Sequence, residues 1–171
     1  MAKILTIGNA LVDIMVTLKD DAMLTELNLP KGSMQHVDAA TMDSILPRVE
    51  GLPRVVASGG SAANTANGLS NLGTEVSYIG MVGIDSMGRL FRSDLEQNRI
   101  TPQLLTGKSS TGIAIVLVSP DSERTFAVNL GAAVELAPSD INVEMFEGYD
   151  YLHIEGYLVQ NHILLERCVE P

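Results

Sequence analysis

Apolar residues occur along this chain in short runs that alternate with longer stretches of helical periodicity. The short runs have the length and aliphatic content of buried strands and cover residues 4–7, 54–57, 76–81 and 149–155. The longer stretches predict helices over residues 20–27, 38–49, 61–73, 86–98 and 161–169. Asp38 and Asp85 precede two of these helices and are expected to cap them. Strands that alternate with helices predict an α/β fold, in which helices cover both faces of a parallel sheet.

Residues 33–37 are predicted to form a further short strand after a Pro-Lys-Gly turn. Two other features do not fit the alternation, and the first is residues 11–18, which follow the first strand almost directly. Residues 111–119 and 124–130 are rich in β-branched residues and flank a turn, which is a hairpin pattern. Residues 11–18 and this hairpin together predict a small antiparallel sheet that projects from the main body.

The composition argues against several classes of protein. The chain has 171 residues, 46% of them apolar, which is enough for one domain with a buried core. Its net charge of −10 and its 4% of aromatic residues argue against nucleic-acid partners and anionic membrane surfaces. No apolar run approaches the roughly 18–20 residues of a membrane helix, and the first residues become polar too early for a secretory signal. Cys168 is the single cysteine, so a disulfide framework is excluded and a cytoplasmic location is expected.

The most informative segment is the glycine-rich stretch at residues 59–64, between a strand and a helix. Gly59 and Gly60 allow a ligand to approach the backbone closely, and a helix start supplies unpaired N–H groups. Asn64 falls in the first helical turn, where its amide can both donate and accept hydrogen bonds. The alternative is a tight strand-to-helix turn without a ligand. The spacing is neither that of a P-loop nor that of a dinucleotide fingerprint.

Asp13 lies among apolar residues shortly after the first strand. A carboxylate in such surroundings needs hydrogen-bond donors, and two vicinal hydroxyls of a ribose-like ring would supply them. The alternative is an aspartate that serves a turn or a cap.

Other polar residues give weaker signals. Glu155 ends a strand, where it either lines a pocket or caps, and Arg124 either contacts a phosphate or is a solvated surface charge. His36, His153 and His162 lack the spacing of metal ligands, so they are interpreted as packing or surface residues and no metal site is predicted.

The glycine-rich stretch and the residues that follow it, 72–73, 78–80 and 83–88, resemble the N-terminal signature of the PfkB (ribokinase-like) family of sugar and nucleoside kinases. Residues 8–14 and 111–133 resemble the adenosine-kinase-like subgroup. The resemblance covers residues 1–171 and implies a three-layer α/β/α fold with a small β-sheet lid. The lid segments are expected at residues 13–18, 33–37 and 111–130.

The resemblance also implies roles for individual residues. The ring hydroxyls of the acceptor would be held by Asp13, Gly59, Gly60 and Asn64. Asn9 would support that site, and Arg124 would approach the transferred phosphoryl group. Phe126 and Leu130 would face an apolar part of the acceptor. Glu155 matches an acid that contacts the sugar in some relatives. A free sugar and a nucleoside both remain open as acceptors.

The implied activity is ATP-dependent phosphoryl transfer to a hydroxymethyl group, with ATP, Mg²⁺ and in some relatives a monovalent cation. The family's Gly-Ala-Gly-Asp segment, which carries the general base, does not occur in these residues. We therefore expect the N-terminal, acceptor-binding half of a kinase, without a catalytic base and inactive alone. Its open sheet edge would favour pairing with a second copy or with the missing half.

Two other interpretations remain. A non-catalytic sugar- or nucleoside-binding module would also show acceptor residues without donor residues. A nicotinamide dehydrogenase would share the α/β alternation, but residues 8–11 do not supply its fingerprint.

Overall fold

The computed structural model describes residues 2–170, in which the strands form two sheets and helices pack against them. The strands are β1 Lys3–Ile7, β2 Leu11–Thr17, β3 Met34–His36, β4 Arg54–Gly59, β5 Glu75–Val82, β6 Ile100–Thr106, β7 Gly112–Val118, β8 Arg124–Asn129 and β9 Tyr151–Ile154. The α-helices are α1 Ala22–Glu26, α2 Ala39–Val49, α3 Ser61–Asn71, α4 Ser86–Gln97 and α5 His162–Val169. Short 3₁₀ turns cover Gly131–Glu135, Pro138–Asp140, Val143–Phe146 and Gly156–Gln160.

The first sheet is parallel throughout and has the strand order β6-β5-β1-β9. Alternate residues of β5 point to opposite faces. Val76 and Tyr78 pack with α3 and α4 on one face, whereas Ile79 and Met81 pack toward the 3₁₀ turns and α5 on the other. The predicted parallel sheet with helical elements on both faces is therefore confirmed.

The second sheet has the order β3-β8-β7-β2-β4. One face packs on α1 and α2 through a core that includes Ile14, Ile115, Leu24 and Ile45. All the segments expected to form a lid lie in this sheet, but the prediction that it is antiparallel was wrong. The pairs β2–β7 and β3–β8 run parallel, so the sheet is mixed.

Strand β4 was predicted in the parallel sheet but pairs antiparallel with β2, at an edge of the second sheet. A helix follows β4, and this suggested a parallel strand. Its first residues, Arg54 and Val55, are exposed, however. Because central parallel strands are buried on both faces, the exposure of these residues agrees with the position of β4 at a sheet edge.

Strand β6 was not predicted at all. It contains Pro102 and Gln103, which interrupt the apolar pattern, and proline cannot donate to a central ladder. The structure places β6 at the edge of the first sheet, beside β5, where a proline is tolerated.

Two aspartates cap helices as predicted. Asp38 accepts from the N–H of Thr41 at the start of α2, and Asp85 accepts from the N–H of Gly88 at the start of α4. Asp85 also accepts from the N–H and the hydroxyl of Thr111 at 2.7 and 2.8 Å. Burial alone would raise the pKa of Asp85, but hydrogen bonds from Thr111 and Gly88 hold the pKa below its usual value. These bonds tie the start of α4 to Thr111, the residue that precedes β7 of the second sheet.

Within residues 2–170, no helix combines the length and the apolar character needed to cross a bilayer.

Candidate functional site

A cavity of about 340 Å³ opens between the second sheet and the loops that follow β1 and β9. Its polar wall comes from the β1–β2 loop, β2, the start of α3 and the end of β9, and contains Asn9, Asp13, Gly60, Ser61, Asn64 and Glu155. Its apolar wall comes largely from the second sheet and contains Leu11, Met34, Ala114, Phe126, Val128 and Leu130. The fold thus brings seven of the nine expected site residues to one cavity, although they span more than 140 positions of sequence.

The turn between β4 and α3 approaches the β1–β2 loop closely. Gly60 occupies the N-cap position of α3 with φ +86°, a conformation that side chains with a Cβ rarely adopt. A Cβ on Gly60 would also lie 2.5 Å from the carbonyl oxygen of Asn9. Only glycine therefore lets these two loops form the floor of the cavity.

Asp13 projects from β2 into the cavity and is half-buried. Its carboxyl group packs over Gly59, where a Cβ would lie 2.2 Å from Asp13 Cγ. No side chain or backbone N–H among residues 2–170 donates a hydrogen bond to this carboxylate. Burial raises its pKa. Asp13 is thus a partly desolvated acceptor group whose hydrogen-bonding capacity is unmet.

Glu155, in contrast to Asp13, receives hydrogen bonds from the protein at both of its carboxylate oxygens. It is only 2% exposed, and one of its oxygens accepts from the backbone N–H and the side-chain amide of Asn9. The other oxygen accepts from the Ser61 hydroxyl at 2.9 Å and from the N–H of Ala62 at 3.3 Å. A carboxylate offers about four lone-pair directions, so protein donors occupy all of them. Glu155 fastens the β1–β2 loop and the start of α3 to the end of β9.

Two of the expected residues are placed differently. Gly59 lies behind Asp13 and does not itself line the cavity. Arg124 is exposed at the first position of β8, outside the cavity wall. Its expected approach to a phosphoryl group stays a prediction.

The local pattern did not reveal the full apolar wall. Met34, Ala114 and Val128 reach the cavity because they lie on three different strands of the second sheet, on the side that faces away from α1 and α2. The alternation within each strand was visible in the sequence. The pairing that makes these residues neighbours was not, since it joins segments far apart in the chain.

The acidic side chains that residues 2–170 contribute to the cavity wall are not balanced by a lysine or an arginine. These acidic side chains are Asp13 and Glu155. In the part of the chain that the structure describes, no three histidine, cysteine or acidic side chains are grouped so that they could hold a metal ion.

Replacing Gly59 with alanine is expected to lower the free energy of unfolding by about 1–3 kcal/mol, because the new methyl group collides with the Asp13 carboxyl. Chemical denaturation measures this change. Gly68→Ala is the matched control: a Cβ there has no neighbour within 4 Å, and the helix should gain up to about 1 kcal/mol. Adding Asp13→Ala to Gly59→Ala should restore most of the loss. Equal stability of the Gly59→Ala protein and the wild type would show that this contact is not close.

The family model described as pfkB family carbohydrate kinase matches residues 37–168 of this chain. An uncharacterized sugar kinase of Archaeoglobus fulgidus is 32% identical over 95 residues, which are 55% of this chain and 38% of that protein. A fructokinase of Salmonella typhimurium is 30% identical over 112 residues, which are 64% of this chain and 36% of that protein.

The crystal structure of adenosine kinase from Sinorhizobium meliloti is similar with a TM-score of 0.80 and 33% sequence identity, over 98% of this chain and 54% of that chain. The matches therefore cover about half of that kinase and little more than a third of each of the two curated relatives. The expected ribokinase-like α/β fold is confirmed by this similarity. Because the family model matches 132 of the 171 residues (37–168), the chain belongs to the pfkB family of carbohydrate kinases.

Proposed function

We propose that the cavity binds the acceptor of an ATP-dependent kinase, and that this acceptor is a sugar or nucleoside phosphorylated on a hydroxymethyl group. The observation that carries the proposal is Asp13, a half-buried carboxylate that faces the cavity and receives no hydrogen bond from residues 2–170. Two hydroxyls on adjacent ring carbons would supply donors to its two oxygens. Membership of the family and the similarity to sugar and adenosine kinases support this assignment.

Asp13 and Asn64 would hold the acceptor from two directions. Asp13 projects from β2, and Asn64 lies in the first turn of α3 with an exposed side chain. The Asn64 amide both donates and accepts, so it suits a hydroxyl that does both. Contacts from two separate elements fix the orientation of a ring as well as its position, and orientation is a large part of catalysis by phosphoryl-transfer enzymes.

Glu155 would act on the acceptor indirectly. Its oxygens are occupied by Asn9, Ser61 and Ala62, so we assign it a positioning role instead of the sugar contact expected from the resemblance. By holding Asn9 and the start of α3, it sets the distance between Asp13 and Asn64.

The charge of the cavity favours an uncharged acceptor. A phosphate on the acceptor would enter a space that contains Asp13 and no lysine or arginine, and its charge would be repelled there. We therefore propose a free sugar or nucleoside and exclude a sugar phosphate.

The family implies ATP and Mg²⁺ as cofactors, but the described residues do not fit a site for them. The cavity wall offers no cation to the phosphates, and residues 2–170 hold no cluster of three metal-ligating side chains. We therefore assign to these residues the binding of the acceptor alone, with the second sheet as a lid that excludes water from it. No nucleotide, monovalent-cation or general-base role is assigned to them.

The test is an acceptor panel with the full-length protein, Mg²⁺ and ATP. We expect ADP formation that depends on ribose, fructose, adenosine or inosine, and none with ribose 1-phosphate. Thermal shifts with the same compounds report binding separately. Thermal shifts without any ADP formation would instead favour the non-catalytic binding module, and a preference for ribose 1-phosphate would contradict the assignment of a neutral acceptor.

A further inference from the structure

His36 lies in the cavity wall, although no motif or spacing in the sequence placed it there. It ends β3 and pairs with Val128 of β8. Val128 pairs in turn with Ala114 of β7, and Ala114 pairs with Asp13 of β2. Asp13, Ala114, Val128 and His36 therefore form one row across the second sheet, which we call the cross-sheet row, and all four line the cavity.

The length of the cross-sheet row limits what can occupy it. Asp13 and His36 are separated by three strand spacings, or roughly 14 Å between their backbones. A five-membered ring built from bonds of about 1.5 Å spans less than half of that distance. A free pentose held by Asp13 would therefore leave the His36 end of the row without a ligand.

The middle of the row is small and apolar. Ala114 and Val128 are 5% and 4% exposed, and neither offers a polar side-chain atom. Phe126 and Met34 lie two positions away along β8 and β3 and face the same side. This surface suits the flat face of an aromatic ring, since apolar and aromatic side chains line most sites for planar ligands.

The His36 end of the row is polar again. The exposed imidazole makes no side-chain hydrogen bond to any group among residues 2–170, and it can donate from one nitrogen and accept at the other. Gln35, its neighbour in β3, lies on the opposite side of the strand and outside the cavity. The row thus offers, in order, a carboxylate, an apolar floor and an imidazole.

From this order we infer that His36 is a specificity-determining residue, whose imidazole hydrogen-bonds the edge of a planar heterocycle attached to the pentose that Asp13 holds. The acceptor is then a nucleoside, and a free sugar fills only part of the cavity. This inference rests on the proposed function, because it requires that Asp13 bind ring hydroxyls.

The experiment is calorimetric titration of the full-length protein with adenosine, inosine, uridine and ribose. We expect at least one nucleoside to bind at least 10-fold more tightly than ribose. His36→Ala should weaken binding of that nucleoside about 10-fold and leave the affinity for ribose unchanged. His36→Gln, which keeps a donor and an acceptor, should restore part of the loss. Gln35→Ala is the matched control on the other side of the strand and should change neither affinity.

The outcomes separate this inference from the proposed function. Ribose binding that equals nucleoside binding, and that is lost in Asp13→Ala, would overturn the role of His36 and leave the acceptor site in place. An equal loss of ribose and nucleoside affinity in His36→Ala would also overturn it, because it would indicate a structural effect. Absence of binding by every compound would overturn both proposals.

Discussion

Asp13→Ala is expected to weaken acceptor binding by about 100-fold or more, because hydrogen bonds to a charged group contribute roughly 1.5–3 kcal/mol each and two of them are lost. The same change should leave the free energy of unfolding unchanged or higher. The wild-type carboxylate is half-buried and receives no hydrogen bond from the side chains or backbone groups of the described residues. Removing it therefore removes a desolvation cost, as is common for groups that are kept for function.

Titration calorimetry with the best acceptor and chemical denaturation of the unliganded protein measure the two effects. Met15, two residues further along β2 and on the same side, supplies the control: it is exposed and lies outside the cavity, so Met15→Ala should leave acceptor affinity unchanged. A drop of several kcal/mol in the stability of Asp13→Ala would contradict the unpaired state of the carboxylate, and unchanged affinity would remove Asp13 from the site.

The raised pKa of Asp13 gives this prediction a pH dependence. Burial raises the pKa in the folded protein above its value in the unfolded chain. The folded state therefore binds the proton more tightly, and the Asp13 contribution to stability increases as pH falls through the folded pKa, until the unfolded carboxyl is protonated too. Acceptor binding needs the carboxylate, so it should weaken over the same window, at a higher pH than for an ordinary aspartate. Asp13→Asn should abolish both dependences.

Glu155→Ala is expected to lower the free energy of unfolding by about 3–5 kcal/mol, a large part of the 5–15 kcal/mol of a typical domain. The substitution leaves the backbone and side-chain N–H groups of Asn9 and the N–H of Ala62 without their acceptor in a buried place. It also releases three segments, the β1–β2 loop, the start of α3 and the end of β9, that the carboxylate holds together.

Glu155→Gln separates charge from shape. The glutamine oxygen can still accept from one side, but its NH₂ group must face donors on the other, so we expect an intermediate loss of stability. Glu147→Ala is the matched control, since Glu147 is exposed and its side chain makes no hydrogen bond to the described residues; its effect should stay within about 0.5 kcal/mol. Denaturant midpoints measure all three variants. If Glu155→Ala proved as harmless as the control, the buried network would be of no energetic consequence.

The location of most strands and helices could be predicted because it depends on local patterns. The apolar run of β5 and the amphipathic stretch of α4 show their burial directly in the sequence. The prediction failed for β6, where Pro102 masks an edge strand, and for the sheet to which β4 belongs. In both cases the missing information was the position of a strand within a sheet, which is set by partners distant in the chain.

The residues of the candidate site were only partly predictable from the sequence. The glycine-rich turn and Asp13 were found from residue type and from resemblance, and the structure places both at the cavity. Glu155 was expected at a pocket, but its four protein donors could not be anticipated, since they come from positions 9, 61 and 62. His36 was interpreted as a packing or surface residue, because the three histidines of the chain lack the spacing of metal ligands.

Three properties of this protein follow from its residues alone: the α/β alternation, the glycine-rich turn between a strand and a helix, and a net charge unsuited to nucleic acid. Which polar groups are satisfied and which are not depends on the assembled fold. The fold surrounds Glu155 with donors, leaves Asp13 open to the cavity and carries His36 to the far end of the same row. Hydrogen-bond satisfaction and cross-strand register are properties of pairs of distant residues, and a local pattern specifies only one member of each pair.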